Sequence, residues 1–470
     1  MKKLKQEKDI QKITQYNYGF NEGERSIIKT DIGLNEKTVS TISDIKNEPQ
    51  WMREFRLKSY KIFKDMPQPS FGPDLNFINF DEYYYYSSGS DKTENDWDNV
   101  PDNIKKTFDR LGIPEAEKKF FMGINAQWDS TPVYENLATE LSEIGVIFTD
   151  CDTALKKYPD LFRKYFSKLV KPDDNKYAAL NSTVWSGGTF IYVPKGVVVK
   201  KPLQAYFRIN YKQVGQFERT LIVLEDDAEL HYIEGCTAPS YSKNNLHAAI
   251  VEIFVGKRSK MRYTTVQNWS DNVLNLVTKR SLIEEDGFME WIDGNIGSKV
   301  NMKYPSCILK GDRAQGNTIS IAVAKKGVYQ DAGSKMIHLG RETKSKIVSK
   351  SITLQGGTAN YRGLAFIGKD AINSKARVEC DTLILDNDSH TDTIPKNMVH
   401  NNQSQIEHEA TVSKVSEEQL FYLMSRGLTE QQALEMIVMG FIEPFTKELP
   451  LEYAVELNKL IKMDMEGSVG

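Results

Sequence analysis

The chain has 470 residues, 40% of them apolar and 27% charged, with a formal net charge of −3. Two or three domains with an ample core fit that length, and the near-neutral balance argues against a nucleic-acid-binding or membrane-surface protein. No run approaches the ~18 apolar residues of a membrane span, and the opening MKKLKQEKDIQK lacks a signal peptide's apolar stretch. The expectation is a protein of the cytoplasm, or of an organelle matrix in a eukaryote, without a disulfide framework.

In chain order, residues 1–48 are polar and rich in Lys, Asn and Glu, and loose helices are expected there. Trp51 to Asp65 reads as an amphipathic helix with Trp51, Phe55 and Phe63 on one face, suited to a core more than to a membrane. Pro67, Pro69 and Pro73, then EYYYYSSGSDKTEND, interrupt regular structure. Helices resume at Val100, stop near Gly112 and restart at Pro114, with Glu115 and Glu117 in the new first turn. A further helix fits Asp152 to Leu169.

After Asp173 the texture changes. Runs of Val, Ile, Thr and Phe are punctuated by EDDAE (225–229), GKRSK (256–260), EEDG (284–287), KGDRAQG (310–316), GRETKSK (340–346), QGGT (355–358), GKDAIN (368–373) and DNDSH (386–390). Turns at such intervals, ~13 to 31 residues apart with no helical stretch between them, predict a β-solenoid with at least two strands per turn. At Ser416 the pattern is helical again. Ser416 with Gln419, and Thr429 with Gln432, are possible capping boxes, and Gly427 ends the first helix. Pro450 opens a third segment with Ala454, Leu457 and Ile461 on one face. Such short helices must pack on the solenoid end or on another protein. The expected division is 1–175 mostly helical, 176–415 β-core and 416–470 helical.

The four cysteines, Cys151, Cys236, Cys307 and Cys380, are widely spaced and form no CxxC. A cluster bound here would need ligands from distant turns, from His or carboxylate, or from a second subunit. Cys236 follows a strand in HYIEGCTAP. An isolated cysteine is commonly an inert buried one, but Arg208 lies 28 residues before it and Gln267 lies 31 after it. On turns of that length all three would line neighbouring layers, and a guanidinium, with Lys279 nearby, would favour the thiolate. Arg377 to Thr411 gathers Cys380, three of the six histidines and Glu407-His408-Glu409. On strands, Cys380 shares a face with His408 or with the glutamates, not readily with both. The segment reads as a metal-related site or as a polar surface turn. GLAFIGK (363–369) matches GxxxxGK, but Asp370 stands where a hydroxyl is needed and LAFI is strand-like, so nucleotide binding is discounted.

Several long blocks resemble the SufB family, the scaffold subunit of the SUF iron–sulfur cluster assembly machinery: LGIPEAEKKFFMGINAQWDSTPVYENL, ALNSTVWSGGTFIYVPKGV, HYIEGCTAP, QNWSDNVLNLVTKR and IEHEATVSKVSEEQLFYLMSRGL. The resemblance implies a right-handed parallel β-helix core with an N-terminal helical region and a C-terminal helical domain that docks an ATPase, SufC. It implies a scaffold, not an enzyme, paired with SufD or a second copy. Sulfur would come from a desulfurase system of SufS/SufE or SufU type, and clusters would pass to apo-proteins. Carried over by residue, Cys236 is the sulfur acceptor, and Arg208, Asn210, Gln267, Trp269 and Lys279 line a sulfur passage. Cys380 and Glu409, with His408 beside them, hold the nascent cluster; Cys151 and Cys307 are structural. A reduced flavin is a conceivable electron source. Two alternatives stand beside this reading: a β-helix polysaccharide lyase or hydrolase using Asp381, Asp386 and Asp388, and a SufD-like partner without a site of its own.

Overall fold

The computed structural model describes residues 28–88, 94, 99–100, 123–209, 213–238 and 244–449. In the C-terminal segment it describes 454, 457–458, 460–462 and 465. The helices expected before residue 28 and, past Val100, over 101–122, the expected opening at Pro450, and Asn210 lie outside the described residues.

Two long sheets stack into a parallel β-helix of about eight turns. One sheet carries the strands Leu203–Arg208, Glu229–Thr237, Lys260–Trp269, Phe288–Gly297, Gln315–Ala324, Lys344–Thr353, Lys375–Ile384 and Gln405–Lys414. The other carries the strands between them, each turn crossing from sheet to sheet and back. Register advances by roughly 27 to 31 residues per turn, as in a solenoid: Glu229 pairs with Lys260, Lys260 with Phe288, Phe288 with Gln315 and Lys344 with Lys375.

Six of the sequence's punctuations form one corner of this stack. Asp227, Arg258, Asp286, Arg313, Glu342 and Asn373 there all have left-handed φ, between 55° and 62°. That conformation is unfavourable for residues with a Cβ. It is held in the first five because each donates its backbone N–H to a carbonyl of the following turn, for example Asp227 to Lys257 and Arg258 to Glu285. Arg258 on Asp227, Arg313 on Asp286 and Arg341 on Asp312 add paired hydrogen bonds between successive layers.

The two ends of the stack differ. At the first, Gly123–Trp128 pairs antiparallel with Thr131–Leu137, and Ile147–Thr149 pairs antiparallel with Gly188–Val193, so both sheets are closed by reversed strands. At the second, among the described residues, Gln405–Lys414 pairs on one side only. The strands of the two long sheets thus begin at Gly123, and a short pair, Ile28–Lys29 with Ser87–Ser88, precedes them, all within the stretch read as mostly helical. Conversely, Lys176–Val184 is a helix where strand texture was expected. All but its first residue are buried, so it has no polar face to mark it. The helix expected over Asp152 to Leu169 is two, Cys151–Lys157 and Pro159–Tyr165. Pro159 has no N–H to continue the first and is well placed to open the second.

Helices cover the flanks. Glu36–Lys46 and Gln50–Asp65 bury Val39, Ile42, Tyr60 and Phe63 against Leu274, Leu276 and Met302, outside one sheet. Arg56 is fully buried there, bonding both oxygens of Glu48 and the carbonyls of Thr183 and Trp185. Glu430–Thr446 begins with the full Thr429–Gln432 capping box and lays Val438, Ile442 and Phe445 on Ile292, Ile321 and Ile352 of the other sheet. The C-terminal helices therefore sit on the solenoid's flank, because the outward rows of that sheet are apolar, rather than on its end. Among the described residues no helix is long and apolar enough to cross a membrane.

Candidate functional site

Along each strand, side chains alternate between the interior of the β-helix and its outside. In one interior row Glu234, Thr265, Asp293, Ser320, Ser349 and Cys380 occupy matching positions on successive strands. Every member is polar and buried. Cys236 lies in the adjacent interior row, between Phe207 and Gln267, and Asn295 follows Gln267. The two thiols therefore face one interior, five strands apart, or ~25 Å at ~4.8 Å per strand.

Around Cys236 (1% exposed) the interior is a closed network. Its thiol donates to Glu234 Oε1 at 3.7 Å, and the Tyr263 hydroxyl donates to Glu234 Oε2. From the opposite sheet, Lys279 donates to Thr265 Oγ1 at 2.6 Å and to Asp293 Oδ1 at 3.0 Å. Lys303 donates to the same Asp293 oxygen at 3.0 Å and to Gln267 Oε1 at 3.2 Å. Asn275 links Gln267 to Asn301 and to His247, which pairs with Glu218. The Trp269 ring lies 4.8 Å from that of His247.

These charges set the acidities. Burial alone would raise the Asp293 carboxyl, but Lys279 and Lys303 overcome it and hold it down to about 2. Burial brings Lys303 down to about 8 against the pull of Asp293. The Cys236 thiol is pushed well above its ordinary range by burial and then by Glu234 and Glu218, which Lys279 and Lys303 only partly offset.

Of the residues assigned to a sulfur passage, Gln267, Trp269 and Lys279 share the interior with Cys236. Arg208 does not. It pairs in register with Thr237, and Phe207 faces Cys236. Arg208 donates to Thr237 Oγ1 at 3.2 Å on the outer side of the sheet. The assumed spacing of 28 is one residue short for this turn, and a one-residue slip exchanges the two faces. No guanidinium therefore lowers the Cys236 thiol from that strand. Glu234, Asp293 and Lys303 went unremarked in the sequence. Glu234 had a legible signal, since a residue two before Cys236 on a strand shares its face.

At the far end, Cys380 (4% exposed) has its Sγ 3.3 Å from His408 Nε2, and its thiol reaches the Glu409 backbone carbonyl at 3.6 Å. The Glu409 side chain is exposed, on the outer face, in register with Glu379, which Arg377 bonds at 2.6 Å. Cys380 thus shares its face with His408 and not with the glutamates. Among the described residues no three His, Cys, Asp or Glu side chains gather as a metal site. Burial, with Asp381, raises the Cys380 thiol to about 11. Nearby Tyr361 is buried, and its hydroxyl has no hydrogen-bond partner among the described residues. Cys151 and Cys307 are also fully buried, the former donating to the Arg219 carbonyl at 2.9 Å.

Residues 45–205 match the model of the SufBD protein N-terminal region, and residues 207–441 match that of the SUF system FeS cluster assembly SufBD core domain. The chain is 59% identical to the iron–sulfur cluster assembly protein SufB of Bacillus subtilis (strain 168) over 98% of its own length and 100% of the relative's. The chain belongs to the SufB family of iron–sulfur cluster assembly proteins. An iron–sulfur cluster assembly SufBD family protein of Staphylococcus aureus (strain MRSA252) is 58% identical over 97% of this chain and 98% of its own. Membership decides against the polysaccharide-cleaving alternative.

Proposed function

We propose that this SufB-family chain is the scaffold on which a nascent iron–sulfur cluster is built, with Cys236 accepting sulfur and Cys380 holding it for iron. The observation that carries this is the unbroken polar row joining the neighbourhood of one thiol to the other, Glu234-Thr265-Asp293-Ser320-Ser349-Cys380, which runs beside an apolar cluster of Ile, Val, Leu, Met and aromatic side chains. Buried polar groups are costly unless they are hydrogen-bonded, and buried charges unless they are also paired. Ser320 donates to Ser349 at 3.1 Å, continuing the row past the charged network.

Direct thiol-to-thiol attack needs contact, which ~25 Å forbids. Sulfur taken as the persulfide Cys236–S–SH is released by two electrons and one proton as hydrosulfide, HS⁻, regenerating the thiol. A reduced flavin of the complex is the donor that this reading calls on. The hydrosulfide then follows the hydroxyls toward Cys380. There Cys380 and His408 supply two ligands for the cargo. Glu409 would join only by turning its side chain around the strand edge, so the remaining ligands are sulfide, a small thiol or a neighbouring chain. The one-sided strand Gln405–Lys414 is where SufD or a second copy would abut, and the flank helices, with Phe421 75% exposed, are where an ATPase such as SufC would dock. Apo-proteins receive the finished cluster in the cytoplasm.

Anaerobic reconstitution with iron and sulfide tests this. The wild-type chain should develop a visible chromophore, Cys380→Ala should lose at least nine-tenths of it, and Cys307→Ala should keep it. A full chromophore in Cys380→Ala ends the scaffold assignment at this site.

A further inference from the structure

The Cys236 thiol cannot work as it stands. It is buried, and two carboxylates with burial keep its proton on. A nucleophile so placed needs a base within reach. The group in contact is Glu234, two residues earlier on the same strand, whose Oε1 receives the thiol hydrogen bond at 3.7 Å. Its other oxygen is occupied by the Tyr263 hydroxyl, which fixes the carboxyl plane and leaves Oε1 for sulfur.

We propose that Glu234 is the general base that activates Cys236 for sulfur uptake. This rests on Cys236 being the sulfur acceptor. The step balances without an oxidant. Glu234 takes the Cys236 proton, and the thiolate attacks the outer sulfur of an incoming persulfide R–S–SH. The new bond joins Cys236 Sγ to that sulfur as the R–S bond to it breaks. The electron pair leaves on R–S⁻, to which Glu234 returns the proton.

The surroundings suit the role. Glu234 is pushed up first by burial and also by Glu218; Lys279, the Tyr263 hydroxyl and His247 pull the other way. A carboxylate raised above its usual range is a stronger base toward a thiol. Tyr232 on the same strand and Lys303 on the opposite sheet complete the titratable groups that feel its charge. Lys279 and Lys303, whose charges pull the thiol's pKa downward against burial, also stabilise the transient thiolate.

The test uses the full chain and glutathione persulfide, following by mass spectrometry the gain of one sulfur on the Cys236 peptide across pH. In the wild type the rate rises as Glu234 ionises and then levels. In Glu234→Gln, which keeps the acceptor for Tyr263, uptake near pH 7 falls about 100-fold. It then climbs about tenfold per pH unit, as hydroxide does what the carboxylate did. A purely structural role would not change the shape of that profile. Should Glu234→Gln not fold, Glu234→Asp withdraws the carboxyl by one methylene and slows uptake while keeping the plateau. A wild-type rate and profile in whichever variant folds overturns the proposal. If the wild-type chain itself takes no sulfur at Cys236, the acceptor reading falls first and this inference with it.

Discussion

Replacing Asp293 by Asn is expected to destabilise the full chain by about 3–5 kcal/mol in urea denaturation, the cost typical of breaking a buried ion pair from one side. Two ammonium groups, Lys279 and Lys303, both bond the same oxygen of Asp293 at 3.0 Å, with side chains 0–1% exposed. The Asn side chain fills the space but carries no charge, so both cations are left in a desolvated interior. Adding Lys303→Met should return at least half of the loss, since the two changes act on one network and are not additive. The wild type carries the matching acid limb. A carboxyl held at about 2 in the folded chain contributes roughly 2–3 kcal/mol above its unfolded value near ~4, and loses it as pH falls toward the folded value. Asp293→Asn should lack that limb. A cost below about 1 kcal/mol would mean that the lysines are solvated, as exposed pairs are, and the interior network would not exist as described.

The second large effect concerns the two serines. Ser320→Val with Ser349→Val keeps the strands and replaces the hydroxyl pair by methyl groups. Sulfur should still reach Cys236 at the wild-type rate, while labelled sulfur recovered in the cluster at Cys380 falls about 100-fold or more. Each hydrogen bond to a charged species is worth about 1.5–3 kcal/mol, and about 1.4 kcal/mol is tenfold in rate. Undiminished label at Cys380 would show that sulfur reaches the two thiols separately, and the polar row would then be a structural feature alone.

The corner of the β-helix was legible because its chemistry is local. Asp, Gly, Lys and Arg recur in EDDAE, GKRSK and KGDRAQG, and stacked turns need such residues for left-handed backbone and interlayer pairing. The caps at Ser416 and Thr429 are local too. The face of Arg208 was not legible, since it depends on one residue of turn length that no local signal fixes. Nor was Lys176–Val184, a helix buried on every side and therefore without periodicity. At the second site, alternation alone gave the right alternatives for Cys380. It could not choose between them, because register across a loop decides whether His408 or Glu409 turns inward. The Lys279–Asp293–Lys303 triad was hidden for a different reason: its members come from both sheets and meet only when the solenoid closes.

The unequal ends of the stack have a thermodynamic consequence. In a linear array each layer is held by its two neighbours, and the outermost by one, so opening free energy is lowest where nothing lies beyond. Cys236 belongs to a layer braced on both sides, whereas Cys380 and His408 lie on the final two strands of their sheet among the described residues. Fraying of that last layer can part thiol from imidazole while the layers around Cys236 stay intact. Under the proposed roles, rigidity then falls where an atom is taken up and looseness where the product is let go.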